Sequence, residues 1–125
     1  MSPVRLLPWV AHEAIEYLAG IFFVIAPLVF GFRQTDPASS VFVGVGVLIL
    51  AVAILSKGPA GVLRIIPPVA HAAVDYLLGF FLVLAPFVFR FSMETPARTI
   101  SILLGVTHLV ITLVTRFPEP DAETA

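Results

Sequence analysis

Polar positions are sparse along this chain, and their placement divides it into four apolar runs. From Pro8 to about Phe32 hydrophobic residues dominate, with the uninterrupted part beginning only at Tyr17. A polar turn from Arg33 to Ser40 follows, containing Pro37 and two candidate capping residues, Ser39 and Ser40. Val41 to Leu55 is the second run, short for a membrane crossing unless Ala38 and Ser56 contribute; Lys57-Gly58-Pro59-Ala60-Gly61 then breaks it. The third run opens at Pro67 and Pro68 and continues to about Phe91, and Ser92 to Ala97 forms another polar turn. The fourth runs from Thr99 to Thr115, closed by Arg116 and Pro118. At 1.5 Å per residue the first and third runs are long enough to cross a hydrocarbon core of about 30 Å. The pattern predicts four transmembrane helices. Pro27 and Pro86 fall inside the first and third, where a missing backbone donor predicts a kink or early unwinding.

The runs pair up. Residues 5–32 read RLLPWVAHEAIEYLAGIFFVIAPLVFGF and residues 64–91 read RIIPPVAHAAVDYLLGFFLVLAPFVFRF, with sixteen of the twenty-eight aligned positions identical at an offset of 59. Such identity marks a repeated unit. Each unit holds two crossings, so both enter the membrane from the same side. The expected fold is all-α: a four-transmembrane-helix bundle built from two tandem helical-hairpin repeats, related by a parallel pseudo-two-fold axis along the membrane normal. Residues 1–118 read as a single membrane domain, with repeats at 5–59 and 64–118, followed by a short acidic C-terminal tail at 119–125 that suits disorder.

Composition agrees with lipid as the main solvent. Hydrophobic residues make up 59% of the 125 and charged residues 12%, about half the ~25% typical of soluble domains. Mean hydropathy is +1.06. A net charge of −1 excludes the basic face that nucleic acid requires, and the absence of cysteine excludes disulfides and thiolate chemistry. His12, Glu13 and Glu16 interrupt the first run where a cleaved leader would be uninterrupted, so that run is read as retained. Lys and Arg number four on the terminal side (Arg5, Lys57, Arg64, Arg116) and three on the other (Arg33, Arg90, Arg98), a small bias toward termini in the cytoplasm.

The few polar side chains inside the runs carry whatever chemistry there is. At 100° per residue, His12, Glu16, Gly20, Phe23, Pro27 and Phe30 share one face of the first helix, and His71, Asp75, Gly79, Leu82, Pro86 and Phe89 repeat it on the third. Ionisable groups at membrane depth turn away from lipid, so this face is expected to point into the bundle. His12, Glu16, His71 and Asp75 are therefore the candidate intramembrane cluster. The preferred reading is packing through local hydrogen bonds; a proton or small-ion role and a metal or cofactor role are the alternatives. Tyr17 and Tyr76 suit interfacial anchoring. The fourth helix carries a stripe of Ser101, Gly105, His108, Thr112 and Thr115, whose second-helix counterparts are Phe42, Gly46, Ile49, Ala53 and Ser56. His108 and Thr112 form a second candidate polar site, and Gly20, Gly79, Gly46 and Gly105 are candidate packing positions.

Ala26-Pro27-Leu28-Val29-Phe30-Gly31-Phe32 and Ala85-Pro86-Phe87-Val88-Phe89-Arg90-Phe91 resemble the repeat of the SPW-repeat family of small bacterial membrane proteins. The family's Ser-Pro-Trp motif keeps its proline in both copies here, with Ala26 and Leu28, then Ala85 and Phe87, in the flanking places. The resemblance implies a multi-pass protein of the bacterial cytoplasmic membrane and supplies no catalytic residues. The expected role is a non-catalytic accessory or scaffold subunit, with no enzyme activity, resident metal or cofactor assigned. Its expected partners are the lipid bilayer and a homo-oligomer or larger membrane-protein complex. A minimal proton-coupled transporter or channel, and a cofactor- or metal-binding redox subunit, are the rival readings.

Overall fold

The computed structural model describes residues 5–118. Among them four helices form: α1 (Trp9–Val29), α2 (Ala38–Leu55), α3 (Pro68–Val88) and α4 (Thr95–Val114). All four are long and apolar enough to cross a membrane; α2, at 18 residues, reaches roughly 27 Å. This is the all-α bundle expected from the sequence. The acidic tail expected at 119–125 lies outside the described residues.

Helix ends depart from the apolar runs for identifiable reasons. α1 stops at Val29 instead of Phe32, and α3 at Val88 instead of Phe91. Pro27 and Pro86 give no N–H to the preceding turn, and the chain leaves the helix just beyond them. Gly31 adopts φ +77° and Phe32 N–H donates to the Pro27 carbonyl at 2.9 Å; in α3, Arg90 adopts φ +60° and Phe91 N–H donates to Pro86 at 2.8 Å. That is a left-handed C-terminal closure. Both prolines stay inside their helices, which continue for two residues beyond them before this closure. α2 and α4 start earlier than their apolar runs, at Ala38 and Thr95, because a first helical turn lying toward water needs no apolar residue. Ser39 and Ser40 are not caps. Pro37 holds that position without a side-chain bond, and the Ser40 hydroxyl donates to Asp36 Oδ1 at 2.7 Å.

The matched closures differ in one residue. Left-handed backbone costs a non-glycine residue about 1–2 kcal/mol, so Arg90→Gly is expected to raise stability by up to about 1 kcal/mol, and Gly31→Ala to lower it by a similar amount. Reversible unfolding in detergent micelles checks both signs.

Each hairpin is tightly packed within itself: α1 lies against α2 and α3 against α4, whereas contact between hairpins is sparse. Glycine sets the close approach. A methyl group on Gly46 would stand 2.7 Å from the Gly20 carbonyl oxygen, and one on Gly105 would stand 2.9 Å from that of Gly79. Phe23, Phe42, Ile49, Leu78 and Leu82 are buried in the apolar core. At the turn end, Phe32 packs edge-on against Phe42 with ring centres 4.9 Å apart. Outward residues such as Leu18 and Leu77 are 69% and 71% exposed, a surface suited to acyl chains.

The apolar core joins the two hairpins, and backbone hydrogen bonds tie them at the end opposite the polar turns. There the Leu7 N–H donates to the Val114 carbonyl and the Arg116 N–H to Leu7, both at 2.8 Å. The positions 59 residues away repeat the arrangement: Ile66 N–H donates to Leu55 and Lys57 N–H to Ile66, both at 2.8 Å. Two clefts open between the hairpins, one on each side of that core. One, of about 460 Å³ between α2 and α3, is walled by apolar residues including Val45, Leu48, Leu77 and Phe81. The other, of about 400 Å³ between α1 and α4, is lined by Phe22 and Leu104 but also by Glu16, Thr107 and His108.

Candidate functional site

His12 and Glu16 lie one helical turn apart on α1, as do His71 and Asp75 on α3, so each pair projects in one direction. The structure brings all four together, fully or almost fully buried, between the hairpins. Glu16 and Asp75 sit about 10 Å along their helices from the terminal-side ends, at 1.5 Å per residue. His12 Nε2 stands 2.6 Å from Glu16 Oε2 and 2.9 Å from Asp75 Oδ2. His71 Nε2 stands 2.5 Å from Glu16 Oε2 and 3.1 Å from Asp75 Oδ2. Nitrogen and oxygen thus alternate around a ring of four atoms, two from each hairpin.

Hydroxyl groups at the ends of the other two helices hold the imidazoles. His12 Nδ1 is 2.7 Å from Thr115 Oγ1, and His71 Nδ1 is 2.5 Å from Ser56 Oγ. Both hydroxyls also donate to carbonyls one turn back, Thr115 to Ile111 and Ser56 to Val52, each at 2.6 Å. Sequence reasoning placed Ser56 and Thr115 on a packing stripe and missed this role. The available signal was their shared position, 59 residues apart, each at the C-terminal end of an apolar run.

Toward the membrane surface an aromatic cover closes the ring. Trp9 packs edge-on over His71 with centres 4.9 Å apart and lies 5.4 Å from His12, while Phe117 stands edge-on to His12 at 5.3 Å. Glu13 was the other omission. It is fully buried, its Oε2 accepts the Ala60 N–H at 3.1 Å, and its carboxylate fills the space a side chain on Gly58 would take. The repeat differs consistently here: 59 residues on, Glu13 becomes Ala72 and Gly58 becomes Phe117.

The remaining candidates separate. His108 is 8% exposed and its Nε2 comes within 3.4 Å of Asp75 Oδ1 without hydrogen-bond geometry. Thr112 is buried but bonds only within its own helix, donating to the His108 carbonyl at 2.8 Å. Ser101 donates across to the Leu82 carbonyl at 2.6 Å and ties α4 to α3. Phe30 and Phe89, expected on the inward face, are 43% and 38% exposed because each lies just past the last helical residue. The Tyr17 hydroxyl reaches the Ala60 carbonyl at 2.8 Å, at the membrane-surface loop. Four buried polar atoms have no hydrogen-bond partner among the described residues: Trp9 Nε1, Glu13 Oε1, Glu16 Oε1 and His108 Nε2.

Four membrane-length helices around a buried polar ring define a small multi-pass integral membrane protein. Residues 9–115 match the family model of the SPW repeat domain, and the chain belongs to that family. No curated protein and no solved structure matches it.

Proposed function

We propose that this protein is a non-catalytic accessory subunit of the bacterial cytoplasmic membrane, with its termini on the cytoplasmic side. It associates through its helices with a larger membrane protein. The observation that supports this reading is the α1/α4 cleft. Its walls are mostly apolar, yet Glu16, His108 and the exposed Thr107 line it, and Glu16 Oε1 and His108 Nε2 lack a hydrogen-bond partner among the described residues. Acyl chains offer these polar residues no hydrogen bond, whereas a polar side chain on a partner's transmembrane helix seated in the cleft does. The matching α2/α3 cleft offers no such group, since Ile49 stands where α4 has His108. Short connections between helices leave little surface for soluble partners, and the Lys and Arg count supports the orientation.

A Thr107→Cys chain carrying a photoactivatable crosslinker, isolated from native membranes in mild detergent, tests the role. The expected result is a crosslink to one larger membrane protein that Leu77→Cys, on the other cleft, does not make. Recovery of uncrosslinked monomer alone contradicts it.

A further inference from the structure

The protons available around the ring point to a property beyond, and independent of, an accessory role. Ser56 and Thr115 each have one hydroxyl proton, and each directs it to a carbonyl at 2.6 Å, Val52 and Ile111 respectively. The oxygen facing each imidazole must then accept, so both histidines carry a proton on Nδ1. The Nε2 atoms are left with lone pairs aimed at the place where Glu16 Oε2 and Asp75 Oδ2 also converge. Without a bridging positive charge, these four electron-rich atoms would face one another at 2.5–3.1 Å in a buried site. Protonating both Nε2 atoms supplies two hydrogens for four close N···O edges, because each N–H points along one line. A single cation among them satisfies all four.

We propose that His12 Nε2, Glu16 Oε2, His71 Nε2 and Asp75 Oδ2 bind one divalent first-row transition-metal ion at the junction of the two hairpins. The four offer ligand atoms that lie within 4.8 Å of one another. A tetrahedrally held cation 2.0–2.2 Å from each would separate neighbouring ligand atoms by roughly 3.3–3.6 Å, so the ring must widen by about half an ångström on average to take it. Two carboxylates balance its charge, which leaves a neutral unit inside the membrane. Two imidazoles favour zinc, copper or iron over magnesium and calcium, which prefer all-oxygen sites. The Nδ1–hydroxyl contacts are the outer hydrogen bonds that orient ligating histidines. Ser56 and Thr115 are thus positioning residues.

The test uses the full chain without a polyhistidine tag, purified in detergent, stripped with a chelator and titrated separately with Zn²⁺ and Co²⁺. The expected result is about one ion per chain, with Co²⁺ giving the visible bands of a low-coordinate N/O site. Ser56→Ala and Thr115→Val are expected to weaken binding by about 10–100-fold each while helicity stays unchanged. The doubly substituted His12→Gln, His71→Gln chain is expected to lose stoichiometric binding. Uptake below about half an equivalent by the wild-type chain overturns the proposal, as does stoichiometric uptake that survives the double histidine substitution. Should that double variant fail to fold, affinity unchanged in both hydroxyl variants overturns it equally.

Discussion

Asp75→Ala is expected to destabilise the protein by about 3–5 kcal/mol, the largest loss of any single side chain, because it strips a buried polar set of one partner. Asp75 Oδ2 lies within 3.1 Å of both His12 and His71, and Oδ1 stands 3.4 Å from His108 Nε2. Its removal takes away one of the two carboxylates that face His12 and His71 and leaves a gap in a buried polar site covered by Trp9 and Phe117. The same reasoning expects a different result when all four ring members are replaced together by apolar residues of similar volume. That change removes the desolvation cost along with the attraction, and such replacements are often neutral or stabilising. Unfolding of both variants in the same detergent mixture separates the two cases. A small loss for Asp75→Ala would mean that the ring is wet and open.

Gly46→Val is expected to cost at least about 2–3 kcal/mol, since overpacking here meets backbone that cannot yield. Even a methyl on Gly46 would stand 2.7 Å from the Gly20 carbonyl oxygen and 2.9 Å from the Val24 nitrogen, both main-chain atoms of α1. Only two positions away, a methyl on Gly44 meets nothing within 4 Å. Gly44→Ala is therefore expected to be neutral or to stabilise α2 by up to about 1 kcal/mol through helix propensity. Unfolding midpoints for the two variants check the contrast. Equal effects would show that α1 and α2 do not approach as closely as the Gly20–Gly46 crossing requires.

The four-helix architecture was legible because lipid imposes long apolar runs separated by polar turns, a pattern that length and hydropathy alone expose. His12, Glu16, His71 and Asp75 were legible for a related reason. Ionisable groups in apolar helices have few places to go, and their recurrence one turn apart on two helices gives both pairs the same facing. Ser56 and Thr115 were not, because a hydroxyl at a helix end fits a backbone bond or a packing stripe as well as it fits an imidazole. Glu13 was hidden by its place beside His12, about 100° around the helix, which directs it to the Gly58–Ala60 loop instead of the ring. The helix ends at Val29 and Val88 depended on a left-handed closure that hydrophobicity does not record.

A double-mutant cycle between His12→Gln and Asp75→Asn, read by reversible unfolding in detergent, tests most directly whether the two hairpins are joined through their hidden polar groups. The residues lie 63 positions apart in sequence and 2.9 Å apart in space. The account expects a coupling energy of at least about 1 kcal/mol, as for close buried charge pairs. Effects that add to within about 0.5 kcal/mol would place His12 and Asp75 in separate environments and contradict it.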